Sequence, residues 1–516
     1  MSFDLSKTYP ILIERNKALI AIIGFLAFTT YKIIDRRNQY GRPPLLKYTI
    51  PWLGSAIELG RDPDGVFKKA TAIFGPVFRI KAAGKEFTYI TAADIISNIY
   101  RDAKVRSRPI AIIYTRLTID CIQTFEYTSI RIEMAHIIFG MSKHLCDDMS
   151  SMEHIFKAHH DALNPAGALK IHHRYGAFAY ECIQNTLDNL PSTTKLSYLI
   201  KSPAYDAALY AFFGKTYPAQ ESYDPFKIFD EGFIMLQMNL PRFMLRKYLN
   251  AREKLIDLTE NYFANPHEDC SEFTHDVEEV GRDAKWSLRD IANFFIGDIW
   301  ALQSNAIQAA YWIIALQLQK PEGLGKIIEE IDMQRNNWIK DNNPITQDET
   351  CCQWILDGSF PLLTSVIQEA LRYCAVVFSI RLVAKETTLG GYRLRKGEYV
   401  ICNTRSVHMD GDIHNNPTEF IPERYLPGTG KYTKNGRTVP NHSMPFGGGI
   451  SMCEGRHFAM GELKIFIALL LSIANIELDP TSSERPQFNW AHMGTGLLPP
   501  IGDLSVCVTR RSTGTL

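Results

Sequence analysis

The sequence predicts a mainly α-helical protein with small β-sheets, made of a single large domain behind an N-terminal transmembrane anchor. Its 516 residues are 46% hydrophobic and 11% aromatic, so the chain can bury a large core. The interior of the chain contains no linker-like stretch, which favours one domain over several. From about residue 92 to residue 283 the pattern is mostly helical, whereas the strand-like runs are short.

The predicted anchor is an uncharged, mostly apolar run from Ala18 to Tyr31, which reaches Ile34 if the Lys32 side chain snorkels. The span of about 17 residues is near the lower limit for crossing a bilayer. More basic residues follow the run than precede it, so the positive-inside rule places the main body in the cytosol. The alternative is a cleaved signal peptide, although a convincing small-residue cleavage site is missing. We expect an anchor at 1–36, a Pro-containing linker at 37–50 and a catalytic domain at 51–516.

Charge and cysteine usage exclude several classes of protein. Basic and acidic residues number 56 each, so nothing indicates a nucleic-acid partner. The ten cysteines lack Cys-x-x-Cys spacing, which indicates reduced thiols in a cytosol-facing protein. Paired histidines occur at 159–160 and 172–173, but neighbouring side chains point to different faces of a helix. We therefore expect surface histidines, not a metal-ligand set.

Two regions predict strands. Phe78–Ile80 and Phe87–Ile90 flank a Gly84-Lys85 turn, which indicates a small hairpin. Ser379–Val383 has the composition of a third strand.

One long helix is expected to cross the domain. It begins at Ser287, with Asp290 as a variant capping box, and runs to Gln319 before Pro321. About 32 helical residues would extend about 50 Å. The small residues near its middle would allow a flat cofactor to approach: Gly297, Ala301 and Ala306.

The most informative stretch runs from Phe446 to Ala459 and contains Cys453 between three glycines and a long apolar helix. A thiolate at a helix N-terminus is favoured by the macrodipole and by unpaired N–H groups, both of which lower its pKa. Haem iron is one of few partners that requires a single thiolate. The stretch therefore predicts a haem-thiolate site. The alternative interpretation is a Gly-rich turn around a buried structural cysteine.

This stretch resembles the haem-binding loop of the cytochrome P450 family, in which Phe, Gly, a basic residue, Cys and Gly recur at fixed spacing. Phe446, Gly449, Cys453 and Gly455 match that pattern, whereas Ser451 replaces the basic residue. The resemblance implies a cytochrome P450 fold and a haem b cofactor with Cys453 as the axial ligand of the iron. It also implies that Phe446 and Gly449 contact the cofactor.

Two further positions follow the family pattern. Glu369 and Arg372 form a Glu-x-x-Arg pair on one helix face, and the resemblance implies that Arg424 completes a buried network with them. Arg381 occupies the place where many members direct an arginine to a haem propionate. Because the family's Trp-x-x-x-Arg is missing and Ser451 carries no charge, Arg381 becomes the best remaining anchor of the haem.

The long helix departs from the family pattern. Most members have an acid followed by a threonine, used to deliver protons to iron-bound oxygen, whereas this chain has Ser304 and Asn305. The surrounding residues resemble the branch with sterol 7α- and 12α-hydroxylases and prostacyclin synthase, where asparagine also replaces threonine. Ser304 and Asn305 are therefore the candidate catalytic residues. The alternative is that the Asn305 amide only packs between helices.

The resemblance implies a monooxygenase that oxidises a sterol, triterpenoid or other lipid-like molecule with O2. Electrons from NADPH would arrive through NADPH–cytochrome P450 reductase, with cytochrome b5 as a second candidate donor. The protein would be single-pass in the endoplasmic reticulum membrane with a cytosolic catalytic domain. Two alternatives stay open: a peroxide isomerase or dehydratase that needs no reductase, and a non-catalytic haem-binding protein.

Overall fold

The structure is a computed structural model that describes residues 40–48, 50, 53–82, 84–102, 124–237, 240–341 and 351–511. The predicted anchor at 1–36 lies outside these residues, as do 37–39 of the predicted linker. In the described part of the chain, no helix combines the length and the apolar character needed to cross a bilayer.

Helices make up most of the molecule, as predicted. Several begin at residues suited to a helix N-terminus: the Ser287 hydroxyl accepts the Asp290 N–H at 3.1 Å, and Pro361 occupies a first-turn position. The helices are α1 Ala56–Arg61, α2 Pro63–Phe74, α3 Ala93–Asp102, α4 Thr128–Ile137, α5 Lys143–Asp147, α6 Met149–Leu163, α7 Pro165–Asn189, α8 Leu196–Phe213, α9 Ala219–Glu231, α10 Phe233–Gln237, α11 Arg246–Phe263, α12 Glu272–Asp283, α13 Leu288–Gln303, α14 Ala306–Leu318, α15 Pro321–Lys340, α16 Gln353–Asp357, α17 Pro361–Cys374, α18 Thr404–His408 and α19 Arg456–Ile473.

The main core lies where α7, α8, α14 and α19 pack together. α14 is buried on nearly all sides, and α19 contributes an almost continuous run of buried residues from Leu463 to Ile473. A helix that is apolar all round must lie inside a large protein. The apolar helix expected after Cys453 is therefore confirmed as α19, and it fixes the end of the Cys453 loop to the core.

Strands are short and form small sheets. They are β1 Val77–Ala82, β2 Lys85–Ile90, β3 Phe125–Glu126, β4 Thr193–Lys195, β5 Ala375–Val383, β6 Thr387–Leu389, β7 Tyr392–Leu394, β8 Tyr399–Asn403, β9 Thr433–Lys434, β10 Arg437–Thr438, β11 Ala474–Leu478, β12 Gln487–Phe488, β13 Thr495–Leu497, β14 Pro500–Ile501 and β15 Ser505–Arg510.

The largest sheet has the strand order β1-β2-β8-β5-β13, with β3 paired to β5. The predicted hairpin is confirmed, because β1 and β2 pair antiparallel with Ala82 opposite Lys85, and Gly84 has a φ of +80° at the turn. The predicted strand at Ser379–Val383 is also confirmed as part of β5. This sheet places β5 and β13 beside one another, which matters for the site.

The prediction of one continuous helix from Ser287 to Gln319 is wrong. α13 ends at Gln303 and α14 begins at Ala306, so the axis is interrupted at Ser304 and Asn305. At the break, the Asn305 side chain bonds to β13 instead of facing solvent. Apolar periodicity continues through such a break, so the sequence pattern alone could not locate it.

Candidate functional site

The Cys453 loop is a compact turn closed by backbone hydrogen bonds. The Cys453 N–H donates to the Phe446 carbonyl at 3.0 Å, and the Gly447 N–H donates to the Met444 carbonyl at 3.1 Å. Gly447 and Gly449 have φ values of +69° and +70°, which side chains other than glycine rarely adopt. The loop therefore requires glycine at these two positions to bring Phe446 and Cys453 together.

The middle glycine, Gly448, lies against a side chain of the neighbouring helix α3. A Cβ on Gly448 would lie 2.3 Å from the Tyr100 ring, so Gly448 permits close approach of α3 to the loop. The Tyr100 hydroxyl then donates to Ser379 Oγ on β5 at 2.9 Å. Tyr100 thus connects the loop to the large sheet.

Cys453 is exposed to solvent, as are its neighbours Met452 and Glu454. Desolvation by the protein around the sulfur nevertheless raises the pKa of the Cys453 thiol, and the neighbouring Glu454 carboxylate raises it further. The Gly455 N–H, which points at the sulfur, acts in the opposite direction by lowering the pKa. The expectation that the helix start lowers the pKa of the Cys453 thiol is therefore wrong for the chain alone, because desolvation outweighs the N–H groups. A cation bound at the sulfur would favour the thiolate.

Arg381 lies beneath the loop as a buried cation, with 1% of its surface exposed. Its guanidinium donates to Ser451 Oγ at 2.5 Å and to the Ile380 carbonyl at 2.8 Å. Its Nε is buried without a hydrogen-bond partner, and no carboxylate within the described ranges pairs with it. Since a buried charge is costly unless it is paired, this geometry suits an anionic ligand.

Aromatic rings complete the surroundings of Arg381. The guanidinium carbon lies 5.7 Å from the centroid of Tyr100 and 5.6 Å from that of Tyr127. Cation–π contacts of this length hold the guanidinium in place but supply no countercharge. Ser451, which cannot carry a charge, acts here as a hydrogen-bond acceptor that orients Arg381.

Glu369, Arg372 and Arg424 form the network expected from the motif. Arg372 donates to both Glu369 oxygens at 2.7 and 2.8 Å, and Arg424 donates to Glu369 Oε2 at 3.0 Å. All three side chains are buried. Glu369 Oε1 also accepts the Ile421 N–H at 2.9 Å. One carboxylate thereby fixes α17 to the segment that leads to the loop.

His408 extends this network to the loop. Arg372 donates to the His408 carbonyl at 2.8 Å, and the His408 ring accepts the Met444 N–H through Nε2 at 2.8 Å. Burial lowers the pKa of His408 well below its usual value, so the ring is neutral, as an acceptor must be. The chain from Glu369 to Met444 positions the start of the Cys453 loop.

The Asn305 amide already makes two hydrogen bonds. Its Oδ1 accepts the Leu497 N–H of β13 at 2.8 Å, and its Nδ2 donates to Ser304 Oγ at 3.2 Å. A Cβ on Gly496 would lie 1.9 Å from Asn305 Oδ1, so only glycine permits this approach. One N–H of the amide has no hydrogen-bond partner in the described structure. Asn305 therefore joins the helix break to β13 and keeps one donor available.

The small residues of the predicted helix differ in their surroundings. Ala301 is exposed within an otherwise largely buried helix, whereas Gly297 lies at ordinary contact distance from Phe139. Trp300 stacks on Phe233 with ring centroids 3.9 Å apart, and its Nε1 donates to Asp230 at 2.9 Å. Aromatic side chains therefore cover the helix on the side of Trp300, and Ala301 leaves room beside them.

The expectation of surface histidines is wrong at two positions. His159 Nε2 contacts Asp298 at 2.9 Å, and both side chains are largely buried. His172 is buried and bonds the Phe458 carbonyl at 3.0 Å, with its ring stacked on the Phe458 ring. Both histidines are buried because adjacent helices cover the faces of α6 and α7 on which they lie.

These residues fit the predicted haem. Cys453 supplies an exposed thiol, Arg381 supplies a buried cation that no carboxylate of the described residues pairs with, and the exposed Ala301 leaves room on α13. The donor set of one thiol and one guanidinium suits an iron porphyrin with anionic side groups. The contributions of Tyr100, His408 and Leu497 to the site were not predicted, since each acts across a distance in sequence that no local motif reveals.

Comparison with known proteins gives similarity over most of the chain. A family model described as "Cytochrome P450" matches residues 226–508. "Cytochrome P450 7A1" from Oryctolagus cuniculus is 25% identical over 505 residues, covering 91% of this chain and 93% of the relative. "5-beta-cholestane-3-alpha,7-alpha-diol 12-alpha-hydroxylase" from Sus scrofa is 26% identical over 518 residues, covering 93% and 95%.

A solved structure gives the same result for the fold. "Retinoic acid bound cyanobacterial CYP120A1" aligns with a TM-score of 0.67 at 20% sequence identity, covering 91% of this chain and 99% of that chain. At this level of identity the likeness concerns the fold alone. It confirms the fold class predicted from the Cys453 loop and the Glu-x-x-Arg pair.

Proposed function

The chain belongs to the cytochrome P450 family, and from this premise we propose that it is a monooxygenase that hydroxylates a sterol or another rigid, hydrophobic molecule. Membership itself makes the protein a haem-dependent oxidoreductase whose iron carries an axial cysteine thiolate. The observation that carries the proposal is the accessible thiol of Cys453 on a loop that the buried Glu369 network positions.

The proposal assigns the haem contacts to specific residues. Cys453 would hold the iron, with Phe446 and Gly449 in the loop against the macrocycle. Arg381 would pair with a propionate, which supplies the acceptor that its Nε lacks. When bound, the haem supplies oxygen activation and transfer of one oxygen atom to a C–H bond. The chain's own contribution is binding, orientation and exclusion of water.

Ser304 and Asn305 are the proposed catalytic residues. Neither is an acid, so neither can deliver a proton as the usual acid–threonine pair does. The remaining N–H of Asn305 is instead suited to hold a water molecule or an oxygen atom of the substrate by a hydrogen bond. Asn305 Oδ1 at the same time accepts the Leu497 N–H of β13. The same side chain would therefore hold an oxygen ligand through its N–H and fix the position of β13 through its carbonyl oxygen.

A sterol substrate is supported by the relatives. The alignments with the Oryctolagus cuniculus and Sus scrofa proteins named above cover more than nine-tenths of the length of each relative. The Sus scrofa protein is named for hydroxylating a cholestane diol. The half-buried rings of Phe139 and Trp300, whose centroids lie 5.8 Å apart, supply apolar surface for such a molecule.

The remaining parts of the proposal concern cellular context. Electrons would come from NADPH through its cytochrome P450 reductase, with cytochrome b5 as a second donor. The chain would comprise a single-pass anchor at 1–36, a linker at 37–50 and a cytosolic haem-thiolate domain at 51–516, in the endoplasmic reticulum membrane. The apolar run in the sequence and its flanking basic residues support this arrangement.

The test begins with the purified full-length protein. The reduced carbon monoxide complex should show the shifted Soret band of a haem-thiolate, and Cys453→Ser should abolish that band. A sterol panel is then titrated while the ferric Soret band is monitored, and product is measured with NADPH and reductase. Absence of the shifted band from the wild-type protein overturns the haem-thiolate assignment. Turnover of none of the sterols overturns the substrate class.

A second candidate function is a peroxide isomerase or dehydratase. Ser304 and Asn305 favour it, because a peroxide substrate brings its own activated oxygen and needs no proton-delivering acid. Turnover of a lipid hydroperoxide without NADPH or reductase, combined with no sterol hydroxylation, would replace the monooxygenase proposal with this one. A protein that binds haem and performs neither reaction would leave only the third alternative, a non-catalytic haem protein.

A further inference from the structure

A groove of about 520 Å³ lies between α7, α8 and the start of α9. None of the described residues that line it belongs to the Cys453 loop, β5 or the interrupted helix. Polar and aromatic side chains line the groove, among them Glu181, Asn185, Tyr198, Asp206, Tyr210 and Lys215. The proposed haem chemistry assigns no role to this site.

Asp206 is the unusual member of the groove. It is 7% exposed, and in the described parts of the chain no group donates a hydrogen bond to either carboxylate oxygen, with Oδ1 fully buried. A buried carboxylate without donors is costly. Burial accordingly raises the pKa of the Asp206 carboxyl to about 7.

The groove offers no countercharge to Asp206. The basic residue lining it is Lys215, and its ammonium is bonded to Glu181 at 2.7 Å. Glu181 and Lys215 therefore neutralise each other at the rim, so that Asp206 carries the net charge of the groove. Tyr198 and Tyr210 provide aromatic surface, and Tyr198 is 64% exposed.

We propose that this groove binds an organic ammonium ion, which donates a hydrogen bond to Asp206 Oδ2, the carboxylate oxygen that is not fully buried, and whose apolar body lies against Tyr198 and Tyr210. A charged donor supplies both the hydrogen bond that Oδ2 lacks and the missing countercharge. Aromatic faces attract cations as well. A neutral alcohol supplies only the hydrogen bond, and it serves as the comparison ligand.

The experiment uses the purified holoprotein with saturating imidazole on the haem, and the Soret band reports any amine that reaches the iron. Benzylamine is titrated by calorimetry at about pH 8, where an alkylamine is protonated, and benzyl alcohol is titrated in parallel. Asp206→Asn keeps the shape of the side chain and removes its charge. Asp188→Asn, which changes an exposed acid on α7 that does not line the groove, is the matched control.

Benzylamine should bind to the wild type and to Asp188→Asn with equal affinity, and about tenfold or more weakly to Asp206→Asn, the scale of a lost charged hydrogen bond. Benzyl alcohol should bind more weakly than benzylamine. The proposal is overturned if benzylamine does not bind, if the two ligands bind equally, or if Asp206→Asn leaves the affinity unchanged. Because both variants are compared as holoproteins with the same Soret band, loss of the fold is recognised separately.

Discussion

At the scale of single residues, Ser451 changes how the site carries charge. It replaces the basic residue of the family pattern, and its hydroxyl accepts a hydrogen bond from Arg381. Among the described residues, Arg381 is therefore the buried cation that bonds to the loop. We accordingly expect retention of a negatively charged cofactor to depend on Arg381.

Replacing Arg381 should weaken haem retention. Arg381→Ala removes the buried guanidinium, and loss of one charged pair corresponds to about a tenfold or larger change in affinity. The rate of haem transfer to apomyoglobin measures this effect. Arg393→Ala, which removes an exposed arginine paired with Glu386, should not change the rate. Equal rates for both variants would show that Arg381 does not hold the haem.

The proposed role of Asn305 can be tested with two substitutions, one that removes only its hydrogen-bond donors and one that removes its donors and its acceptor. Asn305→Asp keeps an acceptor for the Leu497 N–H and loses both amide donors, whereas Asn305→Ala loses both functions. We expect both variants to retain haem and to form less product per NADPH, and only Asn305→Ala to change which carbon is oxidised as β13 loses its anchor. Wild-type coupling in both variants would remove Asn305 from the catalytic proposal.

Asp206 should leave a signature in the pH dependence of stability. Its pKa is raised from 3.8 to about 7 in the folded protein, so the folded state binds the proton more tightly than the unfolded state. The stability gained in this way is complete below the unfolded pKa and is lost as the pH rises through about 7. The Tm of Asp206→Asn, relative to wild type, should therefore increase between about pH 5 and pH 8. Parallel Tm profiles would contradict this.

At the scale of elements, the connection between α17 and the Cys453 loop is the most constrained feature. Glu369 on α17 binds Arg424, while Arg372 reaches the His408 carbonyl, and the His408 ring holds Met444. The network is buried throughout, so its members can be removed only by leaving a charge or a polar group unpaired. Its role is to position the loop, not to react.

Breaking this network should prevent formation of the thiolate-ligated state. Glu369→Gln leaves two buried guanidiniums without their shared carboxylate, which costs about 3–5 kcal/mol. We expect little protein with the shifted Soret band and a lower Tm. Glu386→Gln breaks an exposed pair with Arg393 and should leave both measurements unchanged. A normal spectrum in Glu369→Gln would show that the network is dispensable.

At the scale of the whole molecule, the helices around α14 and α19 form one core, and the sheet that contains β5 and β13 lies against the site. The break between α13 and α14 occurs where β13 approaches, so the helix and the sheet share Asn305 as a contact. Packing of this kind supports the proposal of one catalytic domain at 51–516.

Deleting residues 1–36 tests the proposed division of the chain. We expect the truncated protein to retain the shifted Soret band of the carbon monoxide complex, because the residues proposed to contact the haem all lie within 51–516. It should leave the membrane fraction on washing with alkaline carbonate, whereas the full-length protein should stay there. A truncated protein that loses haem would place the domain boundary earlier, and a full-length protein that is washed off would exclude the anchor.

The sequence by itself determined the cysteine loop and the Glu369–Arg372 pair, because these depend on residue types at fixed short spacings, whereas the cytochrome P450 fold and the role of Arg424 followed from the resemblance. The helix start at Ser287 and the hairpin at Gly84 were predicted for the same reason, since caps and turns are local. Two aspects of the site were predicted by resemblance, namely the importance of Arg381 and the unusual pair of Ser304 and Asn305.

Only the tertiary structure decided where the long helix breaks, which residue holds the start of the loop and which histidines are buried. Asn305 meets Leu497 across 192 residues, and His408 meets Met444 across 36. Such contacts depend on how helices and sheets pack, and a side chain's partner across the core leaves no periodic signal in the chain. Burial likewise made Asp206 a carboxyl with a raised pKa, because desolvation is a property of the packed molecule.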